Sequence, residues 1–204
     1  MSIAYARDYL WLQESQPDLA EAYCLSYVRG LSRPEALRRF GADERALRSL
    51  PIVEAVEACL CAEEEPPLTV HALSLGEWTV IVEPTGCSCT RPQVYRKLSV
   101  GTELVCVRVV MGYRYEFRWV VDGVLRFFFD ARLPDQRGGS DPDRLAADLL
   151  ALGLTEPAEP GRADPGPALL ALADRVTGVR LRPEHLSGPL LGAELDAPAP
   201  AAAR

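Results

Sequence analysis

Tyr113-Arg114-Tyr115-Glu116-Phe117-Arg118-Trp119 is the stretch on which the reading of this chain turns. Rings at Tyr113, Tyr115, Phe117 and Trp119 alternate with the charges of Arg114, Glu116 and Arg118. Successive side chains of a strand point to opposite faces, so a strict period of two marks a strand with one buried side. Asp122-Gly123 follows, a dipeptide that favours a hairpin turn. The returning segment, Val124 to Asp130, places Leu125, Phe127 and Phe129 on one face and Val124, Arg126, Phe128 and Asp130 on the other.

Turn length decides how these faces meet. A two-residue loop pairs Val121 with Val124 and sets Trp119 beside Arg126. A three-residue loop, Val121 to Gly123, pairs Val120 with Val124. Trp119, Phe117 and Tyr115 then share a face with Leu125, Phe127 and Phe129. A one-residue slip turns a whole strand over, so the uniform arrangement is expected, with Gly123 as a left-handed bulge residue. Arg114, Glu116, Arg118 and Arg126 then share the opposite, open face, with Arg108 one strand away. Burying four or five large rings, at roughly 25 cal/mol per Å², makes the ring face the expected centre of the core.

The chain of 204 residues is 48% hydrophobic, enough to bury a real core in one domain. No apolar run approaches the length of a membrane span, and no basic segment followed by an apolar one opens the chain. A cytoplasmic protein with its six cysteines reduced is therefore expected. A net charge of -7 argues against general nucleic-acid or anionic-membrane binding. Lys97 is the only lysine among 22 basic residues, which reads first as codon bias and only then as function.

Outward from the ribbon, Glu103 to Met111 is apolar on both faces apart from Arg108, the mark of a central strand. Leu68 to Leu75 and Trp78 to Glu83 read as two more strands about Gly76-Glu77. The part before Pro66-Pro67 reads as mainly helical: Ala4 to Ser15, a helix after the capping box of Ser32 and Glu35, and Pro51 to Ala62. Tyr23 to Arg29 fits a helical turn and then a strand. After Asp130, a helix capped by Ser140 or Asp141 starts at Pro142, and Ala168 to Val176 forms another. The expected fold is α+β: an antiparallel sheet of about five to six strands with helices on one face and at the ends. One domain spans 1–186, with helices to 65, the sheet over 68–130 and C-terminal helices over 140–186. Residues 155–167, rich in proline, glycine and acids, read as a flexible linker, and 187–204 as a largely disordered tail.

Five blocks carry a resemblance. They are Ala22 to Ser32 (Ala-Tyr-Cys-Leu-Ser-Tyr-Val-Arg-Gly-Leu-Ser), Leu37 to Ala42, Gly76 to Gly86, Gly139 to Asp143 and Ala171 to Leu181. They resemble a family of small cytosolic actinobacterial proteins described only as a domain of unknown function. The resemblance spans Tyr9 to Leu186 and implies no activity, cofactor or catalytic residue. Blocks of this style also occur in bacterial immunity and conflict-associated modules, an analogy rather than an argument from the residues.

Chemistry-bearing residues are sparse. Cys59/Cys61 and Cys87/Cys89 form two C-x-C pairs, but structural zinc sites favour two to four intervening residues, and helix positions two apart diverge. No metal site and no cofactor are expected. His71 falls mid-strand, where a hydrogen-bonded structural role is the simpler reading, and His185 falls at a helix start. No G-x-S-x-G, H-E-x-x-H or phosphate-loop pattern occurs, so no catalytic residue is assigned. Gly138-Gly139-Ser140 could hold an anion on its amides, though a plain loop and N-cap is simpler.

The arginine face is the most suggestive feature. Guanidinium forks suit carboxylates and phosphates. The plainer alternative is a solvated face of cross-strand ion pairs, each worth about 0.2–1 kcal/mol. The functional expectation is a protein-interaction module, an immunity or regulatory partner, docking through Arg114, Glu116, Arg118 and Arg126. The rival is a small-molecule-binding protein or enzyme with a pocket between sheet and helices, which requires His71 or a cysteine exposed in a cavity.

Overall fold

The computed structural model describes residues 3–61, 68–158 and 163–195, without the side chains of Leu60 and Cys61. The Pro66-Pro67 break, residues 159–162 of the expected linker and residues 196–204 of the expected tail lie outside that set. The strands are β1 (Ala22–Arg29), β2 (Arg48–Leu50), β3 (Leu68–Leu75) and β4 (Trp78–Pro84), then β5 (Glu103–Val110), β6 (Arg114–Val121), β7 (Val124–Asp130) and β8 (Leu190–Leu195). They form one sheet of eight strands in the order β2-β8-β3-β4-β1-β5-β6-β7, every neighbouring pair antiparallel. The expectation of five to six strands is thus too low. β2 is only three residues long, and β8 lies within the segment expected to be a disordered tail. There it pairs with both β2 and β3.

The helices are α1 (Trp11–Ser15), α2 (Pro17–Glu21), α3 (Arg33–Phe40), α4 (Ile52–Cys61), α5 (Pro92–Leu98), α6 (Ala146–Ala151) and α7 (Gly166–Thr177). Two faces, not one, are covered. On the first face lie Tyr23, Leu25 and Tyr27 of β1, Val80 and Val82 of β4, Val105 and Val107 of β5, and Phe117, Phe127 and Phe129, all buried with α7. On the second, Cys24, Val28, Ile81, Leu104, Cys106 and Val120 pack with Ala36, Leu37 and Phe40 of α3 and Tyr95 and Leu98 of α5. The reason is in the strands: β1 is buried at every position from Tyr23 to Val28, so neither of its sides could face water. Ser32 caps α3 by accepting from Glu35 N, and Glu35 spends its carboxylate on Arg38 and Arg39. The N-terminal segment is tied to α7 at Asp174, which accepts from Tyr9 Oη at 3.0 Å and Arg180 Nε at 2.8 Å.

The β6–β7 ribbon keeps the expected ring face at Phe117, Phe127 and Phe129 but takes a different register. Asp122 (φ 46°) and Gly123 (φ 74°) are both left-handed, the signature of a two-residue type I′ turn, and Val121 pairs with Val124. The odd residue enters later, at a bulge opposite Trp119/Val120 that leaves Arg126 unpaired. Beyond it Trp119 faces Phe127 and Phe117 faces Phe129. Phe117 and Phe127 meet edge to face, 6.0 Å between centroids. Leu125 passes to the second face with Val120. Tyr113, read as the first ring of the strand, precedes it and is exposed. The bulge accommodates a downstream segment. Gly138 exchanges backbone hydrogen bonds with Phe128, and the amides of Ser140 and Asp141 donate to Leu125 O and Arg126 O. The Gly138 and Ser140 amides of the Gly138-Gly139-Ser140 loop are thus spent on β7 rather than free for an anion. The helix after it starts at Ala146, not Pro142.

Candidate functional site

Register across the second face lines up polar residues from five strands. Glu83 of β4 faces Cys24 of β1, Cys24 faces Arg108 of β5, Arg108 faces Glu116 of β6, and Glu116 faces Asp130 of β7. A second row beside it runs Ser26, Cys106, Arg118, Phe128. The first row is sealed at one end and open at the other. Glu83 is 2% exposed and Cys24 fully buried, whereas the Arg108 side chain is 22% exposed and that of Arg114 55%.

At the open end three guanidinium groups share two carboxylates. Arg118 donates to Glu116 Oε2 at 2.9 Å, its guanidinium 4.9 Å above the Phe128 ring. Arg108 approaches the same oxygen only to 3.7 Å, and its buried Nε has no acceptor. Arg114 stands 3.9 Å from both Glu116 and Asp130. Glu116 is therefore held by one good bond and two loose ones, which leaves donor capacity on Arg108 and Arg114 for an incoming acceptor.

The structure brings together Arg114, Glu116 and Arg118 as the alternation predicts, and adds Arg108 and Asp130. It does not bring Arg126 with them. Unpaired in the bulge, Arg126 reaches Ser140 Oγ at 3.5 Å and lines a cavity of about 330 Å³ with Trp119, Val121, Asp141 and Arg144. Arg118 is also less accessible than an open face implies, its side chain 13% exposed.

At the sealed end Glu83 accepts from the backbone N–H groups of Ser88 (2.7 Å) and Cys89 (3.1 Å), just past the turn at Gly86. A Cβ at Gly86 would come within 2.7 Å of Glu83 Cβ, so the turn needs its glycine. Burial pushes the Glu83 carboxyl up to about 7, against those two hydrogen bonds. Sequence reasoning missed this cluster, because Glu83, Cys24, Cys89 and Cys106 meet only once β1 is inserted between β4 and β5. His71 is buried, with Nε2 3.3 Å from Thr69 Oγ1, and burial lowers it to about 4, so its ring is neutral at ordinary pH. His71, Cys24, Cys89 and Cys106 expose no surface, whereas Cys59 and Cys87 are half-buried. Cys59 accepts from Thr85 Oγ1, Cys87 is half-buried, and among the described residues no group of three or more His, Cys, Asp or Glu is placed to hold a metal ion. Nor is any helix among them long and apolar enough to cross a membrane.

The family model described as a family of unknown function, DUF6461, matches residues 2–189. The chain belongs to that family. The match takes in every strand but β8 and the whole polar row, so the row lies inside the DUF6461 domain. No curated protein and no solved structure matches this DUF6461 chain.

Proposed function

We propose that this protein is a cytoplasmic interaction module, an immunity or regulatory partner, whose basic corner docks a carboxylate-rich segment of another protein. An actinobacterial source suits its near-exclusive use of arginine over lysine. What supports the reading is the loose pairing of Arg108 and Arg114, each no nearer than 3.7 Å to a carboxylate. Three guanidinium groups against two carboxylates leave one positive charge over in a molecule of net charge -7. Charge complementarity favours an acidic segment, and such contacts chiefly raise the rate and specificity of encounter. Arg118, packed on Phe128 and bonded to Glu116, holds the corner in shape, and Arg114 makes first contact.

The test is quantitative capture with wild-type protein and Arg114→Glu at low and moderate salt. A protein captured by the wild type, lost by the variant, and competed by a synthetic copy of its own acidic segment supports the reading. Equal capture by both proteins overturns it.

A further inference from the structure

Three thiols meet where the polar rows are sealed. Cys24, Cys89 and Cys106 are all fully buried on the second face. Cys24 Sγ lies 3.3 Å from Cys106 Sγ, across neighbouring strands and 82 residues apart in the chain. That gap is little more than an ångström longer than a disulfide bond of about 2.05 Å. Cys89, on the 3-10 turn Ser88–Thr90, is buried in the same cluster. Arg118 stands directly opposite Cys106 on β6.

Buried thiols in a core usually act as small apolar groups. Here the patch is not apolar, since the Glu83 carboxyl and the Ser26 hydroxyl lie in it. The Cys106 sulfur has the Cys24 thiol 3.3 Å away and Arg118 opposite it on β6. Donation from Cys24 and then Cys89, with Arg118 adding its charge, holds Cys106 well below the usual thiol range against the effect of burial. Cys24 is pushed up, first by its bond to Cys106, and Cys89 is pushed up, first by burial. One sulfur is thereby favoured as thiolate, the nucleophilic form, with a protonated thiol in contact to resolve it.

We infer that Cys24 and Cys106 are an oxidisable pair that closes to a disulfide between β1 and β5 when the protein meets a hydroperoxide. Both sulfurs are fully buried, so hydrogen peroxide enters through local opening of the second face, and the Cys106 thiolate then attacks one of its oxygens. The O–O bond breaks, hydroxide leaves, and Cys106 becomes a sulfenic acid. The Cys24 sulfur then attacks the Cys106 sulfur, the S–O bond breaks, and the departing hydroxide takes the Cys24 proton as water. Both electrons come from the sulfurs and reduce the peroxide. Cys24 is the partner rather than Cys89, because its sulfur lies 3.3 Å from Cys106 Sγ. The inference is independent of the docking reading, since it concerns the sealed end of the rows.

The experiment uses the full chain carrying Cys59→Ser, Cys61→Ser and Cys87→Ser, which leaves only the three buried cysteines named here. It is incubated with hydrogen peroxide under native conditions, then digested without reduction and mapped by mass spectrometry. The expected result is an intact mass lower by two hydrogens and a cross-linked peptide joining Cys24 to Cys106, reversed by dithiothreitol. Further substitution Cys89→Ser leaves the cross-link, and Cys24→Ser leaves a sulfenic acid at Cys106 that dimedone traps. A Cys89–Cys106 link, or a Cys24–Cys106 link that appears only after denaturant is added, overturns the inference. Should the triple variant fail to fold, the same map on the unsubstituted chain reads the same peptide.

Discussion

Glu83 and His71 are both buried, and they pull stability in opposite directions with pH. The Glu83 carboxyl, raised from 4.5 to about 7, favours the protonated folded form, so its cost grows as pH climbs from 4.5 to 7. The His71 ring, lowered from 6.5 to about 4, resists protonation, so its cost grows as pH falls from 6.5 to 4. At about 1.4 kcal/mol per tenfold change in proton affinity, each is worth on the order of 3 kcal/mol. The two slopes cancel between pH 4.5 and 6.5. Urea unfolding of the wild type should therefore show a plateau across that window. Glu83→Gln should unmask a rise in stability of about 2 kcal/mol from pH 4.5 to 6.5, carried by His71. A flat profile in that variant contradicts the assignment. Arg118 and Arg114 differ as sharply. Arg118→Glu sets a second carboxylate against the buried Glu116 and should cost about 3–5 kcal/mol, whereas Arg114→Glu should stay within about 1 kcal/mol by chemical denaturation. That contrast makes Arg114 the residue with which to probe binding.

The β6–β7 ribbon shows how a local pattern and a distant constraint share control of one element. Its period of two gave the ring face, and Asp122-Gly123 gave the place of the turn, though it closes in two residues and not the expected three. The register was not legible, because the bulge at Arg126 is set by residues 138–141 returning along β7, and nothing within the hairpin announces them. Gly139 is where that return is tightest. Its φ is +99°, and a Cβ there would lie 2.4 Å from Arg126 O. Gly139→Ala should lower stability by more than about 2 kcal/mol in thermal or chemical unfolding. Gly41→Ala, at φ +125° with open space around it, should cost only about 1 kcal/mol. Strand β8 was missed for a different reason. Pro189 precedes it, and Gly192 and Ala193 weaken the β-branched signal of a strand. Gly192 is nonetheless required, since a Cβ would come within 2.6 Å of Val70 O. Ala193 is fully buried between β2 and β3, so Ala193→Asp should cost more than about 3 kcal/mol or abolish cooperative unfolding.

At the scale of the molecule, one sheet carries two cores, and the polar rows cross the second of them. Apolar residues at Val28, Ile81, Leu104 and Val120 were the available sign that this face is covered, and the charges between them masked it. The open-end residues Arg108, Arg114, Glu116 and Arg118 were legible from strand parity alone. The sealed end was not, because it depends on β1 entering between β4 and β5 from a place far away in the chain. The result is a sheet whose basic corner is built on a rigid, doubly packed support, with the Arg108 and Arg114 guanidinium groups only loosely paired. Those groups offer the most direct reading. Arginine side-chain Nε–H signals would be followed by ¹H–¹⁵N NMR, assigned by Arg108→Lys and Arg114→Lys, while a glutamate-rich peptide is added at low salt. The Arg108 and Arg114 signals should shift together, with Arg126 and Arg144 unmoved, and the response should fade as salt is raised. Unmoved signals at Arg108 and Arg114, or equal shifts at Arg126 and Arg144, would contradict a docking corner on this face.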